Sequence, residues 1–347
     1  MKQVGLIGYP VSHSLSPQMQ QAAFDALGIE ARYVLWETQP GTLAQRIASL
    51  RSPGVLGANV TIPYKEDVVS LLDEYDAAAV KIGAVNTIVN RDGRLVGYNT
   101  DAAGFIRALT DFTGCAFDCH GKKAVILGTG GAARAAAVAL LENGVGELAL
   151  LGRTHGRVDA LVNHLRAMDS GERREAMADD GRQAGAMQAR MGVDDSQPGA
   201  MLAPIRLTNA AAQLPCGSGE TQGDASPPRI HTTPAPTRVL GASLGSSEAN
   251  RFLSGADLLV NATPVGLRVD DEALLVDIDL LQAGAFVMDM VFNSPQTRLL
   301  GAAHARGCHI LNGLAMLLYQ GALAFELWTG RAAPVEPMRA ALGLITG

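Results

Sequence analysis

No apolar stretch of this chain is long and uninterrupted enough to cross a membrane. The longest, Leu314 to Trp328, carries Gln320 and Glu326 and reads as a packed helix. The N-terminus has neither the charged leader nor the apolar core of a signal peptide, because Gln3-Val4-Gly5-Leu6-Ile7 enters a strand pattern at once. Long runs of one charge are also missing. A formal charge of -6 over 347 residues leaves no electrostatic footprint for nucleic acid or an anionic membrane. Of four cysteines only Cys115 and Cys119 lie close together, beside His120, which is fewer ligands than a metal site at matched spacing requires. We therefore expect no metal, free thiols in a reducing cytosol, and a soluble cytoplasmic protein whose partners are small molecules. No internal repeat is evident.

What is present points to two α/β regions. A 48% hydrophobic content over this length supports two domains of ordinary size with a surplus. Short β-rich runs at Val4 to Gly8, Arg32 to Trp36, Val55 to Val60, Val85 to Val89 and Leu95 to Tyr98 alternate with helical patterns. The last two runs are joined through Asn90-Arg91-Asp92-Gly93, whose Asp-Gly pair signals a hairpin. A helix from Asp101 to about Phe112 leads into Lys123-Ala124-Val125-Ile126-Leu127, a continuous apolar run of the kind found in a parallel strand covered on both faces. Further strands read as Leu148 to Leu151, Leu258 to Val260, Phe286 to Met290 and His309 to Leu311, a nucleotide-binding pattern. Between the second and third strands of this region, residues 169–238 are rich in Ala, Gly, Ser, Gln and Pro and poor in aromatics. They read as a largely flexible insertion, with a surface helix possible over Glu172 to Met191.

Gly128-Thr129-Gly130-Gly131-Ala132-Ala133 follows the Lys123 to Leu127 strand and opens an Ala-rich helix. Glycines there permit a tight turn and close backbone approach to a pyrophosphate, and the helix N-terminus offers free amides. The next strand lacks the terminal Asp or Glu that holds the ribose hydroxyls of NAD. Arg153, Thr154 and Arg157 stand there instead, which suits the 2′-phosphate of NADP.

Polar residues interrupt the first region where apolar ones would serve packing better. Asn59 and Thr61 sit at the end of a buried strand in Gly57-Ala58-Asn59-Val60-Thr61-Ile62-Pro63-Tyr64-Lys65, and a buried amide or hydroxyl needs a partner. Ser16 before Pro17 has the pattern of an N-cap with proline at the first helical position, a role that suffices for either residue alone. Together, Ser14 and Ser16 suit a carboxylate. Lys65 is expected to begin a helix after Pro63, where a cation opposes the dipole, so capping does not explain it. Asp101 at a helix start fits an acidic cap; paired with Lys65 it forms a proton-transfer dyad.

At this point the residues resemble the shikimate dehydrogenase family. The blocks are Gly8 to Pro17, Asn59 to Lys65, Gly83 to Thr87, Asn99-Thr100-Asp101 with Gly104-Phe105, Asn261 to Pro264, Asp289 to Phe292 with Pro295 and Thr297, and Gly313 through Gln320 to Phe325. The resemblance runs over most of the chain outside the insertion. It implies an N-terminal α/β substrate domain, residues 1–104 with 312–347, and a Rossmann-type doubly wound parallel-sheet NADP-binding domain, residues 105–311, with the active site in the cleft between them. It further implies that Ser14 and Ser16 hold the substrate carboxylate, that Asn59, Thr61, Asn86, Asp101 and Gln320 address ring hydroxyls, and that Lys65 carries proton transfer. Gly128, Gly130, Gly131, Ala132, Ala133, Arg153, Thr154, Arg157, Thr263 and Gly313 are the expected cofactor contacts. The expected reaction is NADP-dependent reduction of 3-dehydroshikimate to shikimate by a monomer or homodimer. Rivals are a quinate or dual quinate/shikimate dehydrogenase and a non-catalytic NADP- or metabolite-binding sensor. Three positions depart from the family pattern: Gln20-Gln21 replaces a His-Asn pair, and Gly152 replaces an Asn.

Overall fold

A computed structural model of the chain describes residues 1–111, 117–169, 237–267, 273–294 and 296–344. Cys115, Pro295, the possible helix over Glu172 to Met191 and nearly all of the insertion lie outside the described residues.

Within the unit formed by Met1–Ser170 and Ala235–Gly347, the strands build two six-stranded sheets. The first contains β1 (Lys2–Gly8), β2 (Ala31–Glu37), β3 (Val55–Val60), β4 (Glu74–Tyr75), β5 (Thr87–Arg91) and β6 (Arg94–Tyr98), in the order β2-β1-β3-β5-β6-β4. Strands β2, β1 and β3 run parallel, and β5 pairs antiparallel with both β3 and β6. The expected hairpin is present: Asp92 and Gly93 both take positive φ, the backbone a tight turn between twisted strands needs, and the Asn90 side chain accepts from the Gly93 amide. Helices α1 (Ser16–Ala26), α2 (Leu43–Ser49), α3 (Ala77–Ile82) and α4 (Asp101–Asp111) connect and flank these strands.

The second sheet is wholly parallel: β7 (Lys123–Leu127), β8 (Glu147–Gly152), β9 (Arg238–Ser243), β10 (Leu258–Asn261), β11 (Phe286–Asp289) and β12 (His309–Asn312), in the order β12-β11-β10-β7-β8-β9. This is doubly wound order, in which the chain starts at the centre, winds outward, and returns to wind the other way. Helices α5 (Gly131–Glu142), α6 (His155–Asp169), α7 (Ser247–Leu253) and α8 (Arg298–Ala305) complete it, followed by α9 (Leu314–Thr329) and α10 (Val335–Ala341). Strand β9 was not expected from the sequence. Its Gly-Ala-Ser half has little intrinsic strand preference, and pairing with β8 together with packing of Gly241 against Val158 and Val162 of α6 decides its conformation.

Helix α9 returns to the first sheet and packs against α1 and α4, its apolar side chains joining Phe24, Tyr33 and Val89 in one core cluster. The approach of α4 is close: a methyl group on Gly104 would lie 2.7 Å from the Gln320 amide nitrogen. That glycine sets Gln320 beside the first turn of α4.

Candidate active site

Three backbone segments are hydrogen-bonded together beside Gln320 of α9: the end of β3 with the turn after it, the start of β5, and the start of α4. The Lys65 Nζ lies 2.5 Å from Asp101 Oδ2, with only 15% and 5% of the two side chains exposed. Asp101 Oδ1 accepts from Asn86 Nδ2 at 2.8 Å, so both carboxylate oxygens have donors. The Asp101 side chain is not occupied as a cap. Asn99 does that work, its Oδ1 accepting from the Asp101 amide while its Nδ2 donates to the Ala84 carbonyl. Lys65 also differs from expectation, since it lies in a turn ahead of a short 3-10 helix, Asp67–Leu71, rather than at an α-helix start.

The capping assignment at α1 is reversed as well. Leu15 is the N-cap residue, Ser16 the first helical one, and Ser14 Oγ accepts from the Ser16 amide at 3.2 Å. Ser14 therefore holds the helix end, and the Ser16 hydroxyl turns inward beside Tyr33.

Asn86 is surrounded. Its Nδ2 faces Thr100 Oγ1, Asp101 Oδ1 and Gln320 Oε1 at 2.9, 2.8 and 3.3 Å, and its Oδ1 accepts from the Thr100 amide and the Thr87 hydroxyl. Two hydrogens cannot serve three acceptors fully, so the long contact to Gln320 is the one a ligand can displace. Gln320 is steadied meanwhile by Nε2 donating to the Leu317 carbonyl. Asn59 joins the same network: Nδ2 donates to the Asn86 carbonyl and Thr87 Oγ1, and Oδ1 accepts from Tyr33 Oη at 2.8 Å. Lys65, Asp101, Asn86, Gln320 and Asn59 are thus hydrogen-bonded into one group. Among the described residues no hydrogen bond links Ser14 or Thr61 to it. Tyr33, Thr87 and Thr100 belong to it and were given no role from the sequence, although both threonines lie in motifs that carry the resemblance. The signal for the threonines was their place in the polar runs Asn86-Thr87 and Asn99-Thr100-Asp101; Tyr33, an aromatic on a strand, gave none.

The departures from the family pattern have local explanations. Gln20 is buried and donates from Nε2 to the Gly321 carbonyl, tying α1 to α9. Gln21 bonds the backbone of β2, donating to the Ala31 carbonyl and accepting from the Tyr33 amide. At Gly152 a side chain would begin 2.8 Å from Val158 Cγ2, which the packing of α6 onto β8 leaves no room for.

The turn from β7 into α5 fits a dinucleotide. Gly128 has φ of +110°, a conformation L side chains rarely adopt, and a methyl group there would crowd the Ala262 carbonyl. Gly130 faces open space and caps α5 without any side-chain hydrogen bond, which leaves the amides at the helix start, toward Ala132 and Ala133, for a ligand. Arg153 and Thr154 follow β8 directly, and all three of Arg153, Thr154 and Arg157 are exposed. Among the described residues neither guanidinium has an ion pair, although Arg157 in the first turn of α6 opposes that helix dipole. An anion would resolve both.

Gly131, the first residue of α5, meets the stem of Lys65: a methyl group there would lie 2.9 Å from Lys65 Cβ. Arg134 of α5 pairs with Glu66 at 3.3 Å. The Lys65–Asp101 pair therefore stands against the start of the cofactor helix. At the ends of β10 and β11, buried Asp289 accepts from Asn261 Nδ2, the Val291 amide and Thr297 Oγ1. Burial pushes its carboxyl up, and these three donors pull it back. Asn261 in turn accepts from the amide and hydroxyl of Thr263, and Gly313, packed on the Met290 carbonyl, opens α9. Among the described residues no helix is long and apolar enough to cross a membrane.

Residues 6–88 match the model of the shikimate dehydrogenase substrate binding domain, and residues 313–342 that of the shikimate 5'-dehydrogenase C-terminal domain. The chain is 39% identical to shikimate dehydrogenase (NADP(+)) of Moorella thermoacetica, over 99% of this chain and 95% of the relative. It is 38% identical to the protein of the same name from Methanopyrus kandleri, over 98% and 94%. Among solved structures, shikimate 5-dehydrogenase from Thermus thermophilus in complex with NADP(H) and shikimate superposes with a TM-score of 0.71 at 30% identity, over 99% of both chains.

Proposed function

The chain belongs to the shikimate dehydrogenase family, and on that premise we propose that it catalyses the NADP-dependent interconversion of 3-dehydroshikimate and shikimate in aromatic amino acid biosynthesis. The observation that carries this reading is the buried Lys65–Asp101 pair standing against the first residue of the cofactor helix.

NADPH, when bound, supplies the hydride. The rest is done by side chains of this chain. Lys65 donates a hydrogen bond, and then its proton, to the oxygen of the carbonyl being reduced; in the reverse direction it takes that proton back. Asp101 keeps the ammonium aimed, itself held by Asn86. Ser14 and Ser16 address the substrate carboxylate, and Asn59, Thr61, Asn86 and Gln320 address the ring hydroxyls. Gly128, Gly130, Gly131, Ala132 and Ala133 would receive the pyrophosphate and Arg153, Thr154 and Arg157 the 2′-phosphate, with Thr263 and Gly313 as further cofactor contacts. Residues 1–104 with 312–347 form the substrate domain and 105–311 the cofactor domain, in a cytoplasmic monomer or homodimer.

The test is NADPH formation, followed by absorbance, with shikimate or quinate each offered with NADP or NAD. Turnover with shikimate and NADP is expected. Preference for quinate or NAD would reassign the substrate or cofactor, and binding without turnover would make the protein a sensor.

A further inference from the structure

Asn59 has one hydrogen-bonding capacity left, its sign set by the Asn86 carbonyl and its orientation held from two strands away. An amide side chain has two N–H donors and two oxygen lone pairs. The Asn86 carbonyl can only accept, so Asn59 must turn Nδ2 toward it, and the second hydrogen goes to Thr87 Oγ1. The oxygen then faces Tyr33, whose hydroxyl donates to it at 2.8 Å. One lone pair on Oδ1 remains.

Tyr33 is built to hold that arrangement. It stands on β2 and reaches Asn59 on β3 across the intervening β1. Its ring packs 6.2 Å from that of Trp328, and Gln21 bonds its backbone amide. Burial keeps the phenol protonated, pushing it well above its ordinary value against the effect of the neighbouring Ser16 hydroxyl. Without the Tyr33 proton the amide oxygen would lose the donor that completes this orientation.

We propose that Tyr33 is a positioning residue that holds Asn59 in the orientation the Asn86 carbonyl dictates, so that this corner of the site accepts from a ring hydroxyl and disfavours a carbonyl. The inference rests on the assignment of the site to shikimate. Lys65, at the other end of the network, is a donor. A ring bearing one carbonyl and several hydroxyls then fits with its carbonyl at Lys65 and a hydroxyl at Asn59, which makes polarity a determinant of which carbon is reduced.

Tyr33→Phe removes the donor and keeps the ring. With it, KM for shikimate should rise about tenfold, the size of one lost buried hydrogen bond, while kcat and KM for NADP stay within about twofold. Deoxy analogues of shikimate, each lacking one ring hydroxyl, separate this from a general loosening: for one analogue the parent and the variant should have equal KM. An unchanged KM for shikimate, or an equal loss with every analogue, overturns the proposal. Should the variant fail to fold, the parent protein still decides, because fluorine accepts but cannot donate. At one ring position the fluoro analogue should bind more weakly than the deoxy analogue, and fluoro analogues that bind as well as the deoxy ones at every position would overturn the proposal. No turnover of shikimate by the parent would overturn the functional assignment instead, a separate result.

Discussion

The network around Asn86 and the cation pair at the end of β8, each proposed to hold a polar ligand, are built in opposite ways. In the first region the polar groups of Asn59, Asn86, Thr87, Thr100 and Asp101 are buried and bond one another, so the site is organised before a ligand arrives. In the second, Arg153 and Arg157 are exposed and, among the described residues, have no ion pair. Buried polar groups left without partners are costly, whereas exposed cations are already hydrated. Substitutions in the first region should therefore affect both stability and turnover, and substitutions in the second should affect only the ligand.

The largest break in that comparison comes from Lys65→Ala, for which we expect kcat to fall about 1000-fold with KM for shikimate changed only a few-fold, since the ammonium acts mainly in the transition state. Steady-state rates check this, and a kcat within tenfold of the parent would remove Lys65 from proton transfer. Next, Asn86→Ala should cost about 3 kcal/mol of stability by stranding the Thr100 amide and the hydroxyls of Thr87 and Thr100. Urea denaturation measures it; a loss under about 1 kcal/mol would mean that water replaces the amide. Arg153→Ala sharpens the contrast from the other side. KM for NADP should rise about tenfold through loss of a charge-assisted bond, KM for NAD should not move, and stability should stay within about 0.5 kcal/mol of the parent. Equal effects on NADP and NAD would place the guanidinium away from the 2′-phosphate.

The smallest effect is expected at Asp289. A carboxyl pushed up by burial binds its proton more tightly in the folded protein than in the unfolded one. Its contribution is fully present below the ordinary carboxylate range and is lost as pH rises through the folded value. Asp289→Asn should flatten the stability curve on that rising side, and parallel curves for the two proteins would show that the donors from Asn261, Val291 and Thr297 cancel the effect of burial.

Much of the framework was legible residue by residue. The Lys123–Leu127 run, the glycines after it and the Asp92-Gly93 turn each carry a local physical cause, apolar continuity or positive φ, that acts within a few residues. The runs at 55–60 and 123–127 match strands β3 and β7 at both ends, whereas the expected Val85 to Val89 strand is observed at Thr87–Arg91. There Val85 and Asn86 bond the Lys65 carbonyl and the Tyr98 carbonyl outside the regular ladder, a choice made by distant segments.

What the sequence by itself determined is the set of elements and the chemical types at their ends, because periodicity and turn chemistry are short-range. Only the tertiary structure decided which polar side chain serves which partner. Ser14 rather than Ser16 accepts at the start of α1, Asn99 rather than Asp101 at the start of α4, and Tyr33 reaches Asn59 over a strand. Strand β9 forms because β8 and α6 are beside it. Each of these depends on distances between segments far apart in the chain, and a hydrogen bond exists only where folding brings donor and acceptor within about 3 Å.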